Sequence, residues 1–176
     1  MSPDGKTGIC TSETTSMAHF IDTADRKVVA NVLVGSRPRS AAFKPDGSEL
    51  WITSEVGGGL SIIDPATRKL IRTVAVGTVP IQIYATPDSA TLLVANQGTR
   101  DKPGKTVSFI DLTTFEIATT VETGAGAHGV AIDGAGRYAY VTNSYANTVS
   151  VIDLADRKVV ATVPVGKGPN GISVFP

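Results

Sequence analysis

Short apolar runs separated by polar turns recur along the whole chain, and none carries a helical period. Val149-Ser150-Val151-Ile152 is representative: it alternates, it is rich in β-branched residues, and Asp, Asn, Gly and Pro stand only at its ends, as strand formation favours. No window holds apolar residues at i, i+3, i+4 and i+7, so the pattern predicts an all-β chain with almost no helix. Tyr140–Asn143, Val149–Asp153 and Lys158–Val163 are predicted to be three consecutive antiparallel strands. The stretch Asp153-Leu154-Ala155-Asp156-Arg157 reads as the hairpin turn between the last two, because an aspartate can bond its own backbone ahead. Pro3-Asp4-Gly5 and Pro45-Asp46-Gly47 read as a second kind of turn, with proline presetting φ and glycine taking the positive-φ position.

The pattern repeats. Ala18–Gly35, Leu60–Gly77, Val107–Gly124 and Val149–Gly166 follow one template, whose marker aspartates Asp22, Asp64, Asp111 and Asp153 are spaced by 42, 47 and 42 residues. The longer interval comes from an insertion near Gly98–Lys105. That stretch offers no apolar anchor, so it is predicted to project as a mobile loop. Each template is preceded by one strand-like run and followed by another, which makes four short strands per period of about forty residues, the sequence signature of a β-propeller blade. With strands lettered A to D from the inside outward, the blades span about residues 1–35 plus 170–175, 39–77, 81–124 and 128–166. The final run, Asn170–Phe175, then stands as a lone strand A, expected to pair with Gly8–Ser12. Flat faces of Val, Ser and Thr favour modest angles between sheets. The expected assembly is therefore a two-fold homodimer of eight blades rather than four blades closing alone.

Tyr140-Val141-Thr142-Asn143 and the stretch after it through Val174 resemble the YVTN family of bacterial β-propeller repeat proteins. The segments Met17–Phe43 and Glu49–Val56 are further similar to a subgroup associated with PQQ-dependent alcohol catabolism. The resemblance implies a propeller fold, a bacterial source, a tie to redox or alcohol catabolism, and a periplasmic or secreted location, although Met1 leads straight into a turn with no signal peptide.

Composition narrows the partners. Sixteen basic residues balance sixteen acidic ones, so no net field draws the chain to nucleic acid or to a membrane surface. No apolar run approaches the roughly 20 residues of a membrane-spanning helix. The single cysteine, Cys10, allows no internal disulfide, and its alignment with Ile52 predicts a buried small hydrophobe. Two histidines and one cysteine without close spacing predict neither zinc nor a c-type haem, and no cofactor is expected. Gly124–Gly129 fits G-x-G-x-x-G, but a strand follows where a dinucleotide site needs a helix. The marker aspartates recur in every blade and read as turn-forming rather than catalytic.

Variation collects on one side. The D–A and B–C loops share a face, and its innermost column holds Arg39, Ile81, His128 and Asn170. Arg37 and Gln82 flank that column, while Glu13, Glu55, Gln97 and Ser144 follow strand B. The expected ligand-binding residues are Arg37, Arg39, Gln82, His128 and Asn170, around one mouth of a central channel. His19 lies in a column otherwise filled by Ser61, Ser108 and Ser150 and reads as a packing histidine. Two function classes follow. The first is a ligand-binding or scaffolding propeller with a small-molecule or protein ligand at the mouth. The alternative is a propeller enzyme, a lyase or hydrolase using Arg39, His128 and a rim glutamate. A histidine within hydrogen-bond reach of a carboxylate would favour the enzyme, and a lining of arginine and amides the binder.

Overall fold

The computed structural model describes residues 1–174, and all regular structure among them is β. Four antiparallel sheets follow in chain order. β1 (Thr7–Ser12), β2 (Met17–Asp22) and β3 (Lys27–Leu33) form the first. β4 (Pro38–Phe43), β5 (Leu50–Ser54), β6 (Gly59–Asp64) and β7 (Lys69–Ala75) form the second, each beside its chain neighbour. The third holds β8 (Pro80–Ala85), β9 (Thr91–Gly98), β10 (Pro103–Asp111) and β11 (Ile117–Glu122); the fourth holds β12 (Ala127–Ile132), β13 (Tyr138–Asn143), β14 (Thr148–Asp153) and β15 (Lys158–Pro164). These are the antiparallel meanders of propeller blades, four-stranded in the last three sheets and three-stranded in the first. The first two sheets make one compact unit, Met1–Ala75, and the last two belong to a second that begins at Val76.

Local chemistry explains the turns. The Oδ1 atom of Asp22 accepts from the N–H groups of Ala24 and Asp25 at 2.9 and 2.8 Å, and Asp153 repeats this with Ala155 and Asp156. Hydrogen bonds within these turns also hold the carboxyls of Asp64 and Asp111 below the usual aspartate range, chiefly the Thr67 hydroxyl in one and the Thr114 N–H in the other. The fourth turn position takes the left-handed conformation in every copy: Arg26, Arg68, Phe115 and Arg157 have φ between 53° and 60°. Val79 does the same at 52° in the turn before β8, where a β-branched side chain is strained.

Each unit has its own core. In the first, Ala18, Phe20, Val32 and Val34 of blade one cluster with Leu50, Ile52 and Ile63 of blade two. In the second, Leu93, Val107, Phe109 and Val121 of blade three meet Val130, Val141 and Ile152 of blade four. Flat packing needs close approach, and glycine provides it where strand D ends. A Cβ on Gly35 would overlap the Ser54 side chain, and one on Gly77 would overlap Asn96. On Gly124 it would lie 2.7 Å from Cγ of Asn143. The two asparagines are held from beneath: Asn96 Nδ2 donates to Thr106 and Ser108, and Asn143 Nδ2 donates to Thr148 and Ser150, at 2.9–3.2 Å.

Three expectations change. The insertion near Gly98–Lys105 is no free loop: it lengthens the β9–β10 hairpin, with Gly98 paired to Pro103, Thr99 N–H bonded to Lys102 O at 3.0 Å, and Arg100 over the Tyr145 ring. Backbone pairing and a cation–π contact supply the anchor that apolar residues do not. Cys10 is exposed, whereas its counterpart Ile52 is fully buried, because the sheet face that carries Cys10 has no blade packed on it in the first unit. On that face His19 Nδ1 sits 2.6 Å from Asn31 Oδ1. The run expected as strand Asn170–Phe175 makes no ladder over residues 170–174, and Phe175 lies outside the described residues.

Two substitutions test this account by chemical denaturation. Gly124→Ala should lose roughly 1–3 kcal/mol by overpacking against Asn143. Val79→Gly should gain about 0.5–1 kcal/mol, since relief of left-handed strain outweighs the added freedom of the unfolded chain.

Candidate functional site

The innermost strands carry an irregularity at the same place in blades two, three and four, in blade three between Pro80 and Ile83. Pairing of β4 with β5 jumps between Pro38 and Ala41, and pairing of β12 with β13 jumps between Ala127 and Val130. The residues in the gap, Arg39-Ser40 and His128-Gly129, are thereby released from the ladder, as at other bulges that re-aim side chains. A threonine hydroxyl replaces the missing carbonyl: Ser40 N–H donates to Thr53 Oγ1 at 3.0 Å, and Gly129 N–H donates to Thr142 Oγ1 at 2.7 Å. The turn ahead is clamped by the backbone. Glu55 N–H bonds Arg37 O, Gln97 N–H bonds Val79 O, and Ser144 N–H bonds Gly126 O, at 2.8–3.0 Å.

In the first unit this scaffold presents Arg37 and Arg39. Arg37, left-handed at φ 53°, spans Glu13 at 3.1 Å and Glu55 at 3.3 Å. Arg39 pairs with the other oxygen of Glu13. Glu13 thus receives one guanidinium on each carboxylate oxygen. The hydrogen bond from Arg37, and then the charge of Arg39, hold its pKa below the usual glutamate range. Two cations face two anions, so an incoming anion must displace Glu13 to gain both arginines. Sequence reasoning placed Glu13 and Glu55 on the rim but missed them as counterions; the available signal was their place one template position after strand B, directly beside the D–A turn.

In the second unit the groups are uncharged. Gln82, Thr142 and Asn170 converge on Gly129, where a Cβ would overlap the Asn170 carbonyl, lie 2.9 Å from Thr142 Oγ1 and 3.2 Å from Gln82 Oε1. Gln82 Oε1 accepts from Val130 N–H at 3.3 Å. Thr142 Oγ1 donates to Asn170 O at 2.7 Å, and Ser144 Oγ donates to Pro169 O at 2.5 Å with Asn170 Oδ1 3.4 Å away. His128 is half-buried beside this cluster and Asn170 is exposed. Of the five residues expected to bind ligand, Arg37 and Arg39 share the counterion Glu13 in one unit, Gln82 and the Asn170 carbonyl meet at Gly129 in the other, and His128 is the residue before that glycine. Among the described residues no group of three or more His, Cys, Asp and Glu side chains could hold a metal ion.

Residues 97–175 match the model of the YNCE-like beta-propeller family. Among solved structures the chain is similar to hydrazine synthase of Kuenenia stuttgartiensis, at 27% identity and a TM-score of 0.87, over 93% of this chain and 47% of that one. The chain therefore spans about half the length of the solved chain it matches. No curated protein sequence matches it.

The ion-pair geometry sets a pH dependence. Because the folded pKa of Glu13 is depressed, its pairs contribute stability above the ordinary glutamate pKa, and that contribution is lost as pH falls through the folded value. A carboxyl NMR titration should place the Glu13 midpoint below that of a free glutamate. Arg37→Ala should raise the midpoint toward the free value, and added salt should shrink the difference.

Proposed function

We propose that this β-propeller repeat chain is a binding and scaffolding module, which holds a polar ligand by hydrogen bonds at the cluster around Gly129. The observation that carries the reading is the convergence of the Gln82 and Thr142 side chains and the Asn170 carbonyl on one glycine too crowded to bear a side chain, with His128 the residue before it in the chain. Such a set is preorganised by the backbone, which lowers the cost of binding, and offers both donors and acceptors to an uncharged or zwitterionic group. Arg37 and Arg39 form a second, separate contact, for an anion able to exchange with Glu13.

A place in a bacterial redox pathway is supported by the likeness to hydrazine synthase, of which this chain spans 47%. The similarity of the first two repeats to the subgroup tied to PQQ-dependent alcohol catabolism points the same way.

Native mass spectrometry of the purified protein, followed by thermal-shift measurements with sugars, amino acids, short carboxylates and phosphates, should find a ligand that is recovered unchanged. Gln82→Ala and Asn170→Ala should each weaken it roughly three- to tenfold, the worth of one hydrogen bond, with little dependence on salt. For an anionic ligand at the arginines, Arg39→Ala should weaken binding by an amount that shrinks at high salt. Affinity unchanged in the Gln82→Ala/Asn170→Ala double variant would overturn the site, and turnover of the bound compound would replace the binding module with an enzyme.

A further inference from the structure

Each unit also holds a cavity on its other face, where the A–B and C–D turns lie. The two cavities form at corresponding places, between the A–B turn of one blade and both turns of the next. In the first unit the cavity has a volume of about 360 Å³ and is lined by Pro3 and Asp4 of blade one with Asp46, Gly47 and Pro65 of blade two. In the second it has about 530 Å³ and is lined by Thr86, Pro87 and Asp88 of blade three with Ala135, Leu154 and Arg157 of blade four. A proline of the earlier blade backs onto a glycine of the later one in both. A Cβ on Gly47 would lie 3.7 Å from Pro3 Cδ, and one on Gly136 would lie 3.3 Å from Pro87 Cδ.

The repeat is broken where the second cavity differs from the first. Pro45-Asp46-Gly47 of blade two corresponds to Gly134-Ala135-Gly136 in blade four, so the later turn brings no carboxylate to the second cavity. The arginine of the C–D turn also changes its contacts. Arg68 of blade two donates to Val29 O at 3.4 Å and is not part of the first cavity's lining. Its counterpart Arg157 lines the second cavity, with Cζ 6.0 Å from the centre of the Phe109 ring. Asp88 is held from one side only: its Oδ1 accepts from Thr86 Oγ1 at 2.5 Å and from Ala90 N–H at 3.0 Å, while Oδ2 takes no hydrogen bond among the described residues. The Thr86 hydroxyl, and then the Ala90 N–H, hold the Asp88 carboxyl below the usual aspartate range. The charge of Arg157 reaches Asp111, whose carboxylate is already used by the N–H groups of its own turn. Among the described residues neither Asp88 nor Arg157 has an ion-pair partner within 4 Å, and both are exposed.

We propose that the second cavity binds a small zwitterion, an amino acid or short peptide whose ammonium pairs with Asp88 and whose carboxylate pairs with Arg157. The apolar body of the ligand rests on Pro87 and Leu154, and the volume falls within the roughly 300–1,000 Å³ of small-molecule sites. A simple anion gains Arg157 but meets the charge of Asp88, and a simple cation meets the reverse. A molecule carrying both charges collects both pairs. The first cavity, with the carboxylates of Asp4 and Asp46 and no guanidinium in its lining, is the internal comparison. The site lies on a face that the reading at Gly129 does not use, and it stands independently of that reading.

NMR titration of the isotope-labelled protein with β-alanine and glycylglycine, each compared with acetate and methylammonium, tests it. At least one of the two zwitterions should shift the amide resonances of Ala90, Gly136 and Ala155, which line the cavity, at millimolar concentration. Acetate and methylammonium should each bind roughly threefold or more weakly than that zwitterion, and so should the zwitterion to Arg157→Gln or to Asp88→Asn, which keeps the oxygen that accepts from Thr86 and Ala90. Added salt should shrink these differences. Ala135→Asp, which restores the carboxylate of the repeat, should also weaken binding, whereas Arg68→Gln and the Gln82→Ala/Asn170→Ala double variant should leave it unchanged. No shift at these amides with either zwitterion, or shifts that acetate alone reproduces at equal concentration, overturns the proposal. Unchanged affinity in Asp88→Asn overturns it as well. Shifts confined to Gly129 and its neighbours overturn this site while leaving the ligand reading there intact.

Discussion

Flat sheets of small residues bury little area per side chain, so they cohere only if their backbones come very close, and the glycine that ends each strand D is what lets them. At Gly35, Gly77 and Gly124 a methyl group would already collide with a serine or asparagine of the following strand B. The valines and phenylalanines of both cores depend on that closeness, because dispersion falls off steeply with a gap of even half an ångström. The asparagines are therefore spacers as much as polar groups. Their Nδ2 groups stand on pairs of hydroxyls, which keeps each buried side chain upright, while their buried Oδ1 atoms take no hydrogen bond among the described residues.

The same economy shapes the candidate site. A bulge in strand A frees two residues per blade, and the freed N–H would be costly if left unsatisfied. In blades two and four a threonine hydroxyl accepts it, and in blade four that hydroxyl passes its own proton to the Asn170 carbonyl. The residues released by this device, Arg39 and His128 among them, are the ones that vary between blades. Their neighbours on strand B and in the turn are fixed by hydrogen bonds that belong to the fold. Variable chemistry thus rests on an invariant backbone.

Much of the fold was legible because its signals are local. Alternation of β-branched residues marks β13, β14 and β15, and the aspartate turns declare themselves through their own backbone bonds. What was not legible depends on neighbours distant in sequence. Glu13 becomes the counterion of Arg37 and Arg39 only once two repeats are packed together. Cys10 matches Ile52 in the template, but Ile52 is dry because blade one lies on it, and no template position reports whether a neighbour exists. The Gly98–Lys105 insertion looked unanchored since backbone pairing across Gly98 and Pro103 leaves no mark in hydrophobicity. The crowding at Gly129 left a trace only in hindsight, as a glycine where blade two has Ser40 and blade three has Gln82.

The likeness of the junctions to one another has a consequence for how the chain reaches its native state. Each blade is a meander of adjacent strands, so its contacts are short in sequence and it can form early. Docking is a different matter, because a finished blade offers nearly the same valine and glycine surface as any other. Out-of-order pairings are then almost as favourable as the correct one, a situation that slows folding of repeat proteins and invites kinetic traps. The small departures from the template, serines at Ser12 and Ser54 where blades three and four have Asn96 and Asn143, and the lengthened β9–β10 hairpin, serve as labels that make the blades distinguishable while they search for their neighbours.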